Sequence, residues 1–334
     1  MKPGRGALPL TLFWKGRVSL DSVNRKRWLA LLLFFPALAV LLIGIYRLFP
    51  QEGRAGTWQE VTLSGHGEKV VLLELVGPIP TGKDLEDLLS QVRQAKEDMR
   101  VKAVVLFVDS PGGGVTETEA IHRALKGLAG EKPLVAAFGS VAASGGYYVA
   151  TAAQEIFTPA TALTGSIGVI ATLPHVDGLL EKLGIGMQVL KEGRLKDMAS
   201  GLRSLTPEEK AVIQGYMREA YELFVQRVAE GRNLPPARVK ELADGRIYSG
   251  KQALALGLAD REGYLEDAAK RAAELAGLKG FRLVRYQKPR GFFEILLPED
   301  FPIGLYPGET QRLLDLLSQS RFRLEYRYLG GGLW

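Results

Sequence analysis

The stretch Gly139-Ser140-Val141-Ala142-Ala143-Ser144-Gly145-Gly146-Tyr147-Tyr148 follows the apolar run Pro133-Leu134-Val135-Ala136-Ala137-Phe138 and leads into Val149-Ala150-Thr151-Ala152-Ala153. A strand-like run stops at a glycine, and very small residues then open a helix with Ser144 at the join. Such a junction suits a nucleophile. The first N–H groups of a helix are unpaired and carry positive potential, and a neighbouring glycine lets a carbonyl come close. It suits equally a plain strand-to-helix turn in which Ser144 only caps the helix, since serine is among the commonest N-caps. Local sequence leaves both readings open.

Upstream, Val70–Leu75 reads as a buried strand and Lys83–Met99 as an amphipathic helix with Leu85, Leu88, Leu89, Val92 and Ala95 on one face. Val101–Val108 is the next strand, and a helix runs from Gly114 to about Leu128. Downstream, the pattern predicts strands at Glu155–Phe157 and, after a short helix, at Ile185–Leu190. Alternation of this kind predicts an α/β domain with crossover helices over mostly parallel strands. A long helix opens at Thr206, with Pro207 at its first position and Glu209 completing a capping box. Its apolar stripe of Ile213, Met217, Ala220, Phe224 and Val228 fits either core or a subunit contact. Residues 232–286 add two or three helices and the strand Phe281–Tyr286. The C-terminal tail, 291–334, carries Pro298, Pro302 and Pro307, an amphipathic piece Thr310–Leu317 and an aromatic-rich end, Phe322–Tyr328.

The chain of 334 residues is long enough for one large domain with appendages. It has no cysteine, which excludes disulfides, thiolate chemistry and cysteine metal sites. His66, His122 and His175 are scattered and give no zinc motif, so no metal or cofactor is expected. Trp28–Tyr46 is a Leu-rich run of 19 residues without a charge. A helix of that length nearly spans a hydrocarbon core of about 30 Å, and no small-x-small cleavage site follows it. The expectation is an uncleaved anchor over 28–49. Seven Lys or Arg precede it against one acid, Asp21, so residues 1–27 are expected in the cytoplasm and the rest outside it. Residues 50–68 read as a polar tether, and the folded domain is placed at 69–290. The net charge of +6 is thus largely a topology signal, and no basic, aromatic-interleaved patch suggests nucleic acid.

A second glycine-rich turn, Asp109-Ser110-Pro111-Gly112-Gly113-Gly114, ends the strand Val101–Val108. The phosphate-loop and dinucleotide fingerprints are absent. Extended glycines would instead expose N–H groups able to pair with a peptide as an added strand and to donate to an oxyanion. A serine nucleophile also needs a base. The elbow G-x-S-x-G and the motif Ser-x-x-Lys are missing, leaving His122, His175 and the two lysines of Lys191-Glu192-Gly193-Arg194-Leu195-Lys196. The residues alone do not choose between Lys191 and Lys196.

The segments Gly139–Tyr148, Asp109–Gly114, Leu163-Thr164-Gly165-Ser166-Ile167-Gly168-Val169-Ile170 and Asp244–Ala253, in that arrangement, resemble the short, single-domain bacterial form of signal peptide peptidase A, in peptidase family S49. The resemblance covers about 69–286. It implies a ClpP/crotonase-like fold, Ser144 as nucleophile and Lys196 as general base. It further implies Gly113 and Gly145 as oxyanion donors, Gly112 as substrate backbone contact and Ser166 as a hydroxyl near the lysine. It also implies signal peptides as substrates and a homo-oligomeric ring in which Ser144 of one subunit meets Lys196 of its neighbour.

A lysine base makes a physical demand. At its ordinary pKa of about 10.4 only about one lysine in a few thousand is neutral at pH 7, and a drop to about 7.5 costs roughly 4 kcal/mol, which an apolar environment supplies. Two other classes fit the same fold: a non-catalytic membrane scaffold, and acyl-CoA chemistry in which paired N–H groups hold a thioester. The co-occurrence of Ser144 and Lys196 favours hydrolysis over both.

Overall fold

A computed structural model describes residues 35–36, 58–288 and 324–328. The anchor expected at 28–49 lies outside them except for Phe35 and Pro36, as do the basic segment and most of the C-terminal tail. No helix among the described residues is long and apolar enough to cross a membrane.

In chain order the elements are β1 (Gln59–Gly65), β2 (Glu68–Val76), α1 (Gly82–Glu97), β3 (Val101–Ser110), β4 (Gly112–Gly114), α2 (Val115–Ala129), β5 (Leu134–Ala143), α3 (Gly145–Ala150), β6 (Glu155–Thr158), β7 (Leu163–Gly165), α4 (Asp177–Lys182), α5 (Pro207–Arg232), α6 (Pro236–Leu242), β8 (Ile247–Ser249), α7 (Gly250–Ala255), β9 (Arg261–Glu262), α8 (Leu265–Leu275), β10 (Phe281–Gln287) and β11 (Glu325–Arg327). The main sheet runs β1-β10-β2-β3-β5-β6-β9, with β7 on β5 and β8 on β7. Its centre is parallel, as the alternation predicts, while β1 is antiparallel to β10.

The central strands are apolar on both faces because both are covered. In β2, Val71, Leu73 and Leu75 face the large core formed with α1, α2, α3 and α5, whereas Val70 and Leu72 face the smaller core under α8. The stripe of α5 is spent inside this chain: Phe224 and Val228 are fully buried, and Ile213 and Ala220 nearly so. The Thr206 capping box is present, with Glu209 N–H donating to Thr206 Oγ1 at 3.2 Å and Thr206 N–H to the Glu209 carboxylate at 2.8 Å.

Three expectations change. Within the stretch read as a tether, Gln59–Gly65 forms the edge strand β1, whose mostly exposed residues carry no apolar pattern. The strand starting at Leu134 continues to Ala143, because β7 pairs with Val141–Ala143 beyond Gly139. Residues 185–190 form no strand: Ile185, Met187, Val189 and Leu190 stand exposed, with no ladder to pair with.

Candidate active site

Ser144 stands where β5 ends and α3 begins, with φ 53° and ψ −117°. A residue other than glycine at such angles carries strain of order 1–3 kcal/mol, and strain of this kind clusters at functional sites. Both of its peptide groups are pinned: Ser144 N–H donates to the Gly165 carbonyl at 2.7 Å, and its carbonyl accepts from Tyr148 N–H at 2.8 Å. The residue is buried, and its side chain makes no capping bond, which removes the plain-cap reading. Every residue of α3 is buried, so this short helix is an internal strut rather than an amphipathic surface piece. Gly146 makes the packing possible; a methyl group there would stand 2.7 Å from the Ser110 carbonyl oxygen.

Beside this junction the three glycines form β4. Gly112 has φ 96°, and a methyl group on it would stand 2.6 Å from Gly145 N. The glycine strand and the turn after Ser144 are therefore in direct contact. Ser166, also buried and at φ 50°, follows β7, the strand that pairs with the end of β5. Ser144, Gly145, Gly112, Gly113 and Ser166 are thus gathered in one place.

Lys196 is not gathered with them. It lies exposed between Gly193 and Arg203, and no hydrogen bond joins it to Ser144. Its neighbour Lys191 donates to Asp197, whose carboxyl is held well below the usual range by Arg203 first and Lys191 second. Arg203 links onward to Glu209. Lys191 is therefore committed to an ion-pair chain, while Lys196 makes no ion pair among the described residues. His175 is exposed near Asp177. His122 is buried, edge-on to Tyr148 with ring centroids 5.2 Å apart, and burial lowers its pKa to about 4.

The aromatic enclosure next to Ser144 was not foreseen. Tyr148, on α3, lies 4.9 Å from Phe224 of α5, and its hydroxyl donates to Glu119, which Arg227 also holds at 2.7 Å. Burial and the Glu119 carboxylate push the Tyr148 phenol pKa up. Into this enclosure comes Tyr326, fully buried, from β11 paired antiparallel to β4. The aromatic composition of Phe322–Tyr328 was the available signal, and the extended glycines already called for a strand beside them.

A doubly covered α/β sheet that presents a strained serine beside an extended glycine strand is an arrangement suited to hydrolysis. Comparison with known proteins bears out the class. Residues 126–279 match the model of peptidase family S49. A protease of Synechocystis is 42% identical over 211 residues, covering 63% of this chain and 76% of the relative. A protein of Enterococcus faecium that bears the name signal peptide peptidase SppA is 38% identical over 275 residues, covering 74% of this chain and 80% of the relative. Protease 4 of Salmonella typhi is 38% identical over 199 residues, which cover 59% of this chain but 32% of that protein. The chain belongs to peptidase family S49 and is an SppA-like peptidase.

Proposed function

We propose that the protein is a membrane-anchored serine endopeptidase with a ClpP/crotonase-like fold, which uses Ser144 as nucleophile and Lys196 as general base. Neutral Lys196 takes the Ser144 proton as the hydroxyl attacks a peptide carbonyl, then returns it to the leaving amine. Gly113 and Gly145 N–H groups receive the developing oxyanion, Gly112 lies along the substrate backbone, and Ser166 supports the lysine. The observation that carries this reading is the strained, buried Ser144, whose next residue Gly145 lies against Gly112 of the glycine strand.

The base comes from a neighbouring subunit of a homo-oligomeric ring. Lys196 stands exposed and without an ion pair among the described residues, and the segment before it displays Val176, Leu179, Leu183, Ile185, Met187, Val189 and Leu190 to solvent. Burying such a surface against a second copy favours the neutral amine by desolvation. The substrates are released signal peptides, met as extended apolar chains on the extracytoplasmic face, to which residues 28–49 anchor the domain.

The test is hydrolysis of an apolar peptide panel by the full chain, by Ser144→Ala and by Lys196→Ala, each alone and then with the two variants mixed. Each variant alone should be inactive. Random equal mixing should restore about one quarter of the sites, by the combinatorics of a head-to-tail ring. Turnover by Ser144→Ala alone overturns the nucleophile. Proven subunit exchange without recovery overturns the shared site.

A further inference from the structure

β3 and β5 stay in register from Val104 opposite Leu134 to Val108 opposite Phe138, and then diverge. The next pair is Ser110 opposite Ala142, two residues further along β3 but four further along β5. A bulge of this kind takes Val141 out of the ladder with β3 and leaves its N–H to be satisfied in another way. Asp109 does so with its side chain, whose Oδ1 accepts the Val141 N–H at 2.9 Å. Gly139 gives the carboxyl group room, since a methyl group there would stand 2.8 Å from both Asp109 Cβ and Cγ. Asp109 is itself fixed from the other side: it lies opposite Val76 of β2, and its backbone carbonyl accepts the Gly77 N–H at 2.9 Å.

Val141 is also the residue at which β5 takes up its next partner. Pairing with β7 begins at Val141 opposite Leu163 and continues through Ala142 opposite Thr164 and Ala143 opposite Gly165. Thr164 Oγ1 adds a bond to the Ala142 carbonyl at 2.7 Å. Ser144 follows directly, with its N–H on the Gly165 carbonyl. A slip of one residue at Val141 would bring a different residue to the strained junction. Asp109 also stands three residues before Gly112, in the segment that becomes the glycine strand. One carboxylate thus ties the stretch carrying Gly113 to the stretch carrying Ser144 and Gly145.

We infer that Asp109 is a positioning residue of the peptidase site: by holding Val141 it sets the attitude of Ser144 Oγ and the separation of the Gly113 and Gly145 N–H donors. The inference rests on the roles given to those three residues above. Asp109 acts through the backbone, so its loss slows the chemical step rather than weakening peptide binding. A displacement of about 1 Å between nucleophile and carbonyl costs on the order of 100-fold in rate. What the arrangement uses is the oxygen acceptor at Oδ1, not the negative charge.

Steady-state hydrolysis of an apolar peptide by the full chain tests this, with Asp109→Ala, Asp109→Asn and Gly139→Ala set against wild type. Asp109→Ala should lose about 100-fold in kcat with KM within about two-fold, and its kcat/KM should keep the wild-type pH profile because the base is untouched. Asp109→Asn, which retains an oxygen acceptor in the same place, should stay within about three-fold of wild type. Gly139→Ala should resemble Asp109→Ala, because the methyl group pushes the carboxyl group away from Val141 N–H. Near-normal kcat in Asp109→Ala, a loss confined to KM, or an Asp109→Asn as slow as Asp109→Ala overturns the inference and leaves the peptidase reading standing. An Asp109→Ala chain that is unfolded by circular dichroism, together with normal turnover by a folded Gly139→Ala, overturns it as well. Turnover by Ser144→Ala overturns the serine assignment and this inference together.

Discussion

His122 should make the fold sensitive to mild acid. It sits in α2 against Tyr148, facing Glu119 and Lys126 of its own helix and Arg227 and Glu230 of α5. Burial, partly opposed by Glu119, lowers its pKa from 6.5 to about 4. The unfolded chain therefore binds a proton over this interval that the folded chain refuses. Stability is full above the unfolded value and falls as pH drops toward the folded one. From about pH 7.5 to about pH 5 the loss is about 2 kcal/mol, approaching about 3 kcal/mol below about pH 4. Urea midpoints at the two pH values, for wild type and His122→Phe, would measure it. The phenylalanine keeps an edge against Tyr148 but cannot titrate, so its acid loss should be smaller by about 2 kcal/mol. Carboxylates such as Asp98 and Asp197, whose pKa values are lowered, contribute to both chains below this window. Equal losses in the two chains would refute a neutral, buried His122.

Lys191→Ala should keep turnover within about two-fold of wild type, since Arg203 still holds Asp197, and solvated ion pairs of this kind are worth little. A loss matching that of Lys196→Ala would move the base. Gly112→Ala should cut turnover by about 100-fold or more, the scale of a lost oxyanion donor, because the methyl enters the space beside Gly145 N. Near-normal kinetics would place the reacting carbonyl elsewhere. The rate constant kcat/KM should rise with pH, because the general base must be neutral to accept the serine proton, and stay high in mild alkali, unaffected by chelators. A profile that vanishes in His122→Ala or His175→Ala would point to a histidine base.

What could be read from the residues depended on the range of the forces involved. The strands Val70–Leu75 and Val101–Val108 and the helix start at Thr206 were legible because burial on two faces and capping write themselves locally. The exposed strand Gln59–Gly65 was not, since its partner lies more than two hundred residues away and imposes no apolar pattern. Ile185–Leu190 misled for the opposite reason: its apolar residues face outward rather than into a sheet. At the site, Ser144 and the glycines announced themselves by residue type. The Tyr148–Phe224–Tyr326 enclosure joins three distant segments, and no local rule brings them together.

The position of β10 between β1 and β2 sets the order in which a growing chain is completed. At roughly 5–20 residues per second, Phe281–Gln287 follows Glu68–Val76 from the ribosome by roughly 10–40 s. Throughout that interval one side of β2 is an open, apolar edge of the kind that recruits other strands. Among the described residues β1 pairs only with β10, so it has no strand of the sheet to dock on until then. A message truncated before Phe281 would thus yield a product short of two strands rather than one, with an edge that chaperones must cover.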